Sequence, residues 1–85
     1  MYYVYILKHP TEDDIYIGFS TDLRARMKDH HSVHRGWKLA YYEAYASEED
    51  ARARERRLKY HGNVKQLLKK RIMRSLEMVR SSWGL

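Results

Sequence analysis

The fold of this chain is decided by residues 2–7, YYVYIL, and residues 15–19, IYIGF. Both stretches are rich in β-branched and aromatic residues, and a polar turn separates them. This pattern is typical of two antiparallel strands joined as a hairpin. We expect Tyr5 to lie opposite Tyr16, which leaves residues 9–12 as the loop.

Alternate residues of a strand point to opposite faces of its sheet, and residues paired across two strands share a face. In the expected register, Val4 pairs with Ile17 and Ile6 pairs with Ile15, so these four side chains form one apolar face. The opposite face, called the tyrosine face below, carries Tyr3, Tyr5, Tyr16 and Gly18. Because glycine has no side chain, a ligand can approach the backbone closely there. The tyrosine face is therefore the candidate reaction surface.

The rest of the chain predicts one more strand and three helices. An N-cap signal opens a helix over residues 22–31, and residues 38–46, KLAYYEAYA, predict a third strand. Residues 47–50, SEED, form a capping-box pattern that begins a second helix ending near Tyr60. Apolar residues at helical spacing predict a third, basic helix over residues 63–85. The order β-β-α-β-α-α indicates an α+β fold, in which helices flank a small, mostly antiparallel three-stranded sheet.

The length and composition of the chain narrow the possible classes of protein. The 85 residues predict a single domain over residues 1–85, without room for a second core. The absence of cysteine excludes disulfides and thiolate metal sites and suits a reducing compartment. The sequence has neither a signal-peptide pattern nor an apolar run of the roughly 20 residues that span a bilayer. We therefore expect a cytoplasmic protein with no membrane partner.

The net charge of +6 is concentrated in the last third of the chain. Residues 63–85 contain six Lys or Arg and one Glu, whereas residues 1–46 contain six charges of each sign. This local excess, together with the many tyrosines, favours nucleic acid as the partner. The predicted nucleic-acid contacts are the cations Lys65, Lys69, Lys70, Arg71 and Arg74. A solvated basic helix without a specific partner is the alternative.

The third strand contains three tyrosines that could stack on bases, Tyr41, Tyr42 and Tyr45. Tyrosine is also favoured in strands, so we expect these side chains to pack in the core rather than to stack on bases.

Arg26 and His30 lie one turn apart in the first predicted helix, on the same side as Asp22. A guanidinium suits phosphate oxygens because its donors form a planar fork, and a neighbouring histidine can move a proton near neutral pH. Spacing alone favours a simpler alternative, a surface pair of Asp22 with Arg26 beside an ordinary histidine.

Glu55 lies in the apolar stripe of the second predicted helix, between Ala51 and Leu58. A carboxylate in such a stripe needs a partner. That partner is either a neighbouring arginine, in a structural ion pair, or a divalent metal ion, since Mg²⁺ is often held by one or two carboxylates and several waters. Both alternatives stay open from this residue alone.

Taken in order, these residues resemble the GIY-YIG endonuclease family. The similarity is carried by Tyr3-Val4-Tyr5, Tyr16-Ile17-Gly18, Arg26 ten residues after Tyr16, His30 four residues later, and the helical Glu55, and it covers residues 2–60. It is closest to short, single-domain bacterial members, and extends to the nuclease domain of the excision-repair incision subunit and to intron homing endonucleases. The resemblance implies a domain that cleaves phosphodiesters with one Mg²⁺ or Mn²⁺ ion. It implies catalytic roles for Tyr5, Tyr16, Arg26, His30 and Glu55, with Glu55 as the metal ligand.

The predicted activity is therefore that of a metal-dependent endonuclease that acts on DNA, selective for structure rather than sequence, in repair or recombination. The alternative is a catalytically silent nucleic-acid-binding module with the same fold and basic tail. A homodimer through the third helix and a partner protein that supplies specificity both stay open.

Tyr5, with an ordinary phenol pKa of about 10, can act as the base that deprotonates the attacking water only if cations lower that pKa or His30 relays its proton.

Overall fold

The structure, a computed structural model, describes residues 1–33 and 35–81, without the side chains of residues 30–33 and 81. In this part of the chain the elements are β1 (Tyr2–Lys8), β2 (Ile15–Ser20), α1 (Leu23–Val33), β3 (Lys38–Tyr45), α2 (Glu48–Tyr60), α3 (Gly62–Arg71) and α4 (Met73–Ser81). The strands form one antiparallel sheet in the order β2-β1-β3, with β1 at its centre. This architecture confirms the predicted α+β class. Across the described residues, no helix is both long and apolar enough to cross a bilayer.

The hairpin register differs from the predicted one by two residues. Tyr5 lies opposite Gly18 rather than Tyr16, and the resulting pairs are Val4–Phe19, Tyr5–Gly18, Ile6–Ile17, Leu7–Tyr16 and Lys8–Ile15. Packing explains the difference, because the Tyr5 ring covers Gly18 so closely that a Cβ atom there would lie 2.2 Å from Tyr5 Cζ. A residue without a side chain leaves room for this ring. A shift of two residues keeps every side chain on its predicted face, so the tyrosine face is retained.

The hairpin loop is consequently longer than predicted, and comprises residues 9–14 instead of 9–12. Lys8 is buried at the start of this loop. Its ammonium donates hydrogen bonds to the backbone carbonyls of His9, at 2.7 Å, and Glu12. These bonds satisfy a buried charge, which would otherwise be costly, and close the loop over the end of β1.

The hydrophobic core lies between the apolar face of the sheet and the helices α2, α3 and α4. Its buried residues are Val4, Ile6, Ile15 and Ile17 from the strands and Ala51, Leu58, Leu68, Ile72 and Leu76 from the helices. The helical stripe predicted near the end of the chain thus packs on the sheet, except that Leu67 is exposed. Since the helices cover the apolar face, the tyrosine face is left to other elements.

The single third helix predicted over residues 63–85 is wrong, because the structure has two helices, α3 and α4, that separate at Ile72. Ile72 leaves helical geometry, with φ −106° and ψ 23°, and its side chain is buried. A straight helix of that length would extend about 34 Å, whereas the eight residues of β3 extend about 27 Å. The bend allows α3 to pack on α2 while α4 packs on β3 and β1.

The helix on the tyrosine face is α1, whose Leu23 and Met27 line a cavity together with Tyr3 and Tyr42. Asp22 caps α1, since its Oδ1 accepts a hydrogen bond from the Ala25 N–H at 3.1 Å. This confirms the predicted N-cap signal. Among the described residues, α1 makes fewer close contacts with the sheet than α2 or α4 does.

Candidate active site

Tyr5 and Tyr16 form the centre of the tyrosine face. Their ring centroids are 6.3 Å apart with planes inclined by 28°, and a side-chain hydrogen bond joins the two residues. Tyr5 is only 1% exposed, whereas Tyr16 is 37% exposed. One phenol is therefore fixed inside the sheet surface while the other faces solvent.

The electrostatic surroundings of Tyr5 keep its phenol protonated. Burial, the neighbouring Tyr16 and, to a smaller extent, Glu55 raise the pKa of Tyr5 to about 12, although Arg26 acts in the lowering direction. The predicted condition for Tyr5 as an unaided base, a pKa lowered by cations, is thus not met in this structure. At neutral pH the phenol can donate a hydrogen bond.

Arg26 and Glu55 come to Tyr5 from two different helices, α1 and α2. Both side chains lie close enough to Tyr5 to change its pKa through their charges. Arg26 is exposed, whereas the side chain of Glu55 is only 16% exposed. Four of the five predicted site residues, Tyr5, Tyr16, Arg26 and Glu55, therefore share one neighbourhood.

The ion-pair partner of Glu55 is Lys59, not one of the arginines considered from the sequence. Lys59 Nζ lies 2.9 Å from Glu55 Oε2, one turn along α2, and the lysine side chain is 41% exposed. An exposed ammonium of this kind moves into solvent at little cost. Among the described residues, no three His, Asp or Glu side chains converge. A single carboxylate such as that of Glu55 can hold an ion such as Mg²⁺, whose other positions are then filled by water and substrate oxygens.

His30 lies in α1, one turn after Arg26. Its side chain is outside the described residues. The role predicted for His30 stays a prediction.

A family model described as the GIY-YIG catalytic domain matches residues 1–69. This chain belongs to the GIY-YIG family. Membership indicates a nuclease-type domain that binds nucleic acid, and GIY-YIG nucleases generally use divalent metal ions. The match extends past residue 60, where the sequence resemblance ended, and includes most of α3. No curated protein and no solved structure has a significant match to the chain.

The basic helices of this GIY-YIG domain lie on the side of the sheet opposite to Tyr5. Leu68 of α3 and Ile72 belong to the core on the apolar face, and Tyr5 points away from that face. Two of the five predicted nucleic-acid contacts, Lys65 and Lys69, approach the carboxylate of Asp14 at 2.7 and 3.8 Å. The other three, Lys70, Arg71 and Arg74, are exposed. A substrate held at Tyr5 therefore reaches this surface only around the edge of the sheet.

Glu43 is the centre of a polar network that the sequence interpretation missed. Its carboxylate accepts hydrogen bonds from Tyr41 at 2.9 Å and Tyr45 at 2.5 Å, and a two-pronged contact from Arg54 at 3.0 and 3.1 Å. Burial acts to raise the pKa of Glu43, but the hydrogen bonds from Arg54, Tyr45 and Tyr41 outweigh it and hold that pKa below its usual value. Alternation along the third strand could have revealed this network, because it places Glu43 on the core side of the sheet between Tyr41 and Tyr45.

The strand tyrosines therefore divide into two groups. Tyr41 and Tyr45 are engaged by Glu43 on the apolar side, whereas Tyr42 lies on the tyrosine face and is 50% exposed. Tyr42 borders a cavity between α1 and the sheet, called the α1 groove below. The α1 groove has a volume of about 840 Å³. Its lining residues are Tyr3, Thr21, Asp22, Leu23, Arg24, Met27, Lys28, Leu39 and Tyr42. The assignment of all three tyrosines to packing thus does not hold for Tyr42.

Proposed function

We propose that this GIY-YIG domain is an endonuclease that hydrolyses phosphodiester bonds in DNA with one Mg²⁺ or Mn²⁺ ion. The observation that supports the proposal is the electrostatic neighbourhood of Tyr5, which Tyr16, Arg26 and Glu55 share. Such an arrangement offers an anionic ligand for a cation, a cation for a phosphate and two phenols for a water molecule. We further propose that the enzyme selects DNA structure rather than sequence and acts in repair or recombination.

In this proposal the chain's own residues divide the work of hydrolysis. The Arg26 guanidinium binds a nonbridging phosphate oxygen and stabilises the charge that builds there. Tyr16 orients the attacking water, whose oxygen bonds to phosphorus while the phosphorus bond to the leaving oxygen breaks. The proton of that water passes to the Tyr5 oxygen as the Tyr5 phenol proton passes to His30, and the leaving oxygen takes a proton from solvent.

Glu55 is proposed as the residue that holds the divalent ion. When bound, the ion supplies a Lewis acid for the phosphate and for the leaving oxygen. Lys59 must release Glu55 for this purpose, and its exposure allows that. The high pKa of Tyr5 makes a proton relay necessary, since a phenol with a pKa of about 12 does not ionise unaided at neutral pH.

A cleavage assay on labelled single-stranded, duplex, flap and four-way-junction DNA tests the proposal. We expect nicking with Mg²⁺ or Mn²⁺, no nicking in EDTA, and a loss of at least 100-fold in Glu55→Gln, on the scale seen when a catalytic group is removed. Glu49→Gln is the matched control, because Glu49 is an exposed acid on the same helix. Full activity of Glu55→Gln and of Tyr5→Phe would contradict the proposed site.

The second candidate function is a silent nucleic-acid-binding module. The Lys59–Glu55 ion pair favours it, because an ammonium already neutralises the carboxylate that a metal ion would need. DNA binding without cleavage in either metal, at protein concentrations well above the measured dissociation constant, would support this alternative.

A homodimer through α3 and α4 also stays a prediction. Leu67, Met73 and Met78 expose apolar surface on these helices. Light scattering of the purified protein, compared with Met73→Gln and Met78→Gln, tests it directly.

A further inference from the structure

The α1 groove combines an exposed aromatic ring with apolar walls. The ring of Tyr42 meets Tyr3 only at an edge, with centroids 5.9 Å apart and planes inclined by 67°. Half of the Tyr42 surface is exposed, and Leu23, Met27 and Leu39 form the neighbouring walls. A flat ring in an apolar cleft of this size is the usual surface for a planar ligand.

Cations line the rim of the same groove. Arg24 and Lys28 are both exposed and lie one turn apart on α1, so their side chains leave the helix on one side. The one acid in the lining, Asp22, is engaged as the helix cap. The groove therefore offers a positive rim to an anionic ligand.

The groove adjoins the candidate active site. Tyr42 is paired with Tyr5 across β3 and β1. Tyr3 is two residues from Tyr5 on the same strand and on the same face, a separation of roughly 7 Å. Arg26 lies on the same helix as Arg24 and Lys28, although residues two apart in a helix leave it on different sides. A ligand in the groove would thus lie beside Tyr3 and Tyr5 of β1, next to the candidate active site.

We propose that the α1 groove binds an unpaired base of the DNA substrate, which stacks on Tyr42 while Arg24 and Lys28 hold the adjacent phosphates. This inference rests on the proposed function and deepens it by naming the substrate class, DNA with a single-stranded segment beside the cleaved bond. A base within a duplex is stacked and paired, so it enters a cleft between a helix and a sheet only after it has been extruded. An unpaired base enters without that cost, which makes the groove selective for flaps and overhangs.

Binding to fluorescent DNA in EDTA tests this inference separately from catalysis. The probes are a duplex with a single-stranded flap, which carries 2-aminopurine at the first unpaired position, and a blunt duplex of the same sequence. The variants are Tyr42→Leu, which removes the aromatic ring, and Tyr42→Phe, which keeps it. Tyr60→Leu is the matched control, because Tyr60 is a 77% exposed tyrosine at the end of α2. The double variant Arg24→Gln, Lys28→Gln tests the rim, and Lys70→Gln, Arg74→Gln is its control on the far side of the sheet.

We expect Tyr42→Leu to weaken flap binding about tenfold, in line with the loss of one base–aromatic stack, and to leave blunt-duplex binding within about twofold. The 2-aminopurine signal should change on binding to the wild type, Tyr42→Phe and Tyr60→Leu, and not on binding to Tyr42→Leu. Flap binding should also weaken more in the Arg24, Lys28 double variant than in its control.

The inference would be overturned if Tyr42→Leu lost affinity equally for flap and blunt duplex, or lost affinity for neither. The inference would also be overturned if the protein formed a dimer in solution that the Tyr42→Leu substitution dissociates. In that case a second copy of the chain would cover the groove. Flap-selective binding by a protein that never cleaves would support the groove and contradict the proposed enzyme. If Tyr42→Leu cleaved every substrate as well as the wild type does, that result would support the proposed enzyme and contradict the groove.

Discussion

At the scale of single residues, the Tyr5–Gly18 pair determines the geometry of the tyrosine face. The ring of Tyr5 occupies the space that a side chain at position 18 would need. This contact buries Tyr5 and leaves its phenol beside Tyr16. The same contact therefore sets the strand register, the high pKa of Tyr5 and the distance between the two phenols.

We predict that Gly18→Ala destabilises the protein by about 1–3 kcal/mol, the cost of overpacking a buried site. It should also reduce cleavage, because the new methyl group displaces the Tyr5 ring. Gly62→Ala is the control, since no atom lies within 4 Å of a Cβ placed there. That variant should be neutral, or more stable by about 0.5 kcal/mol through the unfolded chain. Urea unfolding followed by circular dichroism measures both. Equal stabilities would show that the Tyr5 ring moves freely.

A second residue-scale prediction concerns Lys59, whose ammonium competes with a metal ion for Glu55. Lys59→Gln should lower the Mg²⁺ concentration for half-maximal cleavage by about two- to fivefold, the range expected for an exposed ion pair. Arg56→Gln, an exposed cation on the same helix, should leave that concentration unchanged. If Lys59→Gln instead required more Mg²⁺, Lys59 would have to contact the substrate phosphate.

At the scale of elements, the two sides of the sheet are held with different strength. The Glu43–Arg54 contact fastens α2 to β3, and the tyrosines of β3 complete it. On the tyrosine face, α1 has its Asp22 cap and few contacts with the sheet. We therefore expect α1, which carries Arg26, to adjust to a substrate more readily than α2, which carries Glu55.

Glu43→Gln should lower the stability at pH 7 by about 1–3 kcal/mol, because the amide cannot accept all the bonds of the carboxylate. The folded-state pKa of Glu43 lies below its ordinary value of 4.5. Its contribution is therefore complete above about pH 4.5 and is lost as the pH falls through the folded-state pKa. In urea unfolding experiments, the difference in stability between wild type and variant should shrink as the pH falls below about 4.5.

Asp14→Asn is the control for that experiment. The pKa of Asp14 is also lowered, with Lys65 as its hydrogen-bond partner, but its side chain is 65% exposed. Its removal should cost about 0.5 kcal/mol or less at any pH. A pH dependence of Glu43→Gln no larger than that of Asp14→Asn would contradict the role assigned to the Glu43 network.

At the scale of the whole molecule, the sheet separates two charged surfaces. Arg24, Arg26 and Lys28 are on α1, which lies on the tyrosine face. Lys70, Arg71 and Arg74 are on the helices that cover the apolar face. We propose that the first set contacts DNA at the candidate site, whereas the second set attracts DNA without positioning a bond for cleavage.

Neutralising the far surface with Lys70→Gln, Arg71→Gln and Arg74→Gln should weaken DNA binding and make it less salt-dependent. The slope of log K against log salt should fall by roughly three units at most, about 0.9 for each phosphate that the variant no longer neutralises. The preference between flap and blunt duplex should stay the same. Fluorescence anisotropy between low and moderate salt measures both quantities. An unchanged affinity would show that these cations do not bind DNA.

Local sequence patterns were sufficient to predict the strands, most helix boundaries and the faces of the hairpin. Alternation along a strand has a period of two residues, so the division into an apolar and a tyrosine face was insensitive to the two-residue error in register. The family motif is ordered along the chain, so the sequence also singled out Tyr5, Tyr16, Arg26 and Glu55, which the structure brings together. Their catalytic roles stay predictions.

Five further properties depend on the tertiary structure of the chain. The register depends on the fit of the Tyr5 ring over Gly18, and that fit is a contact between strands rather than a local preference. The bend at Ile72 accompanies a change of packing partners, since α3 packs on α2 whereas α4 packs on β3 and β1. The partner of Glu55, the raised pKa of Tyr5 and the separation of the basic helices from Tyr5 all depend on distances between side chains that fold together. Local sequence patterns encode which face a side chain takes, but not which distant side chain it meets there.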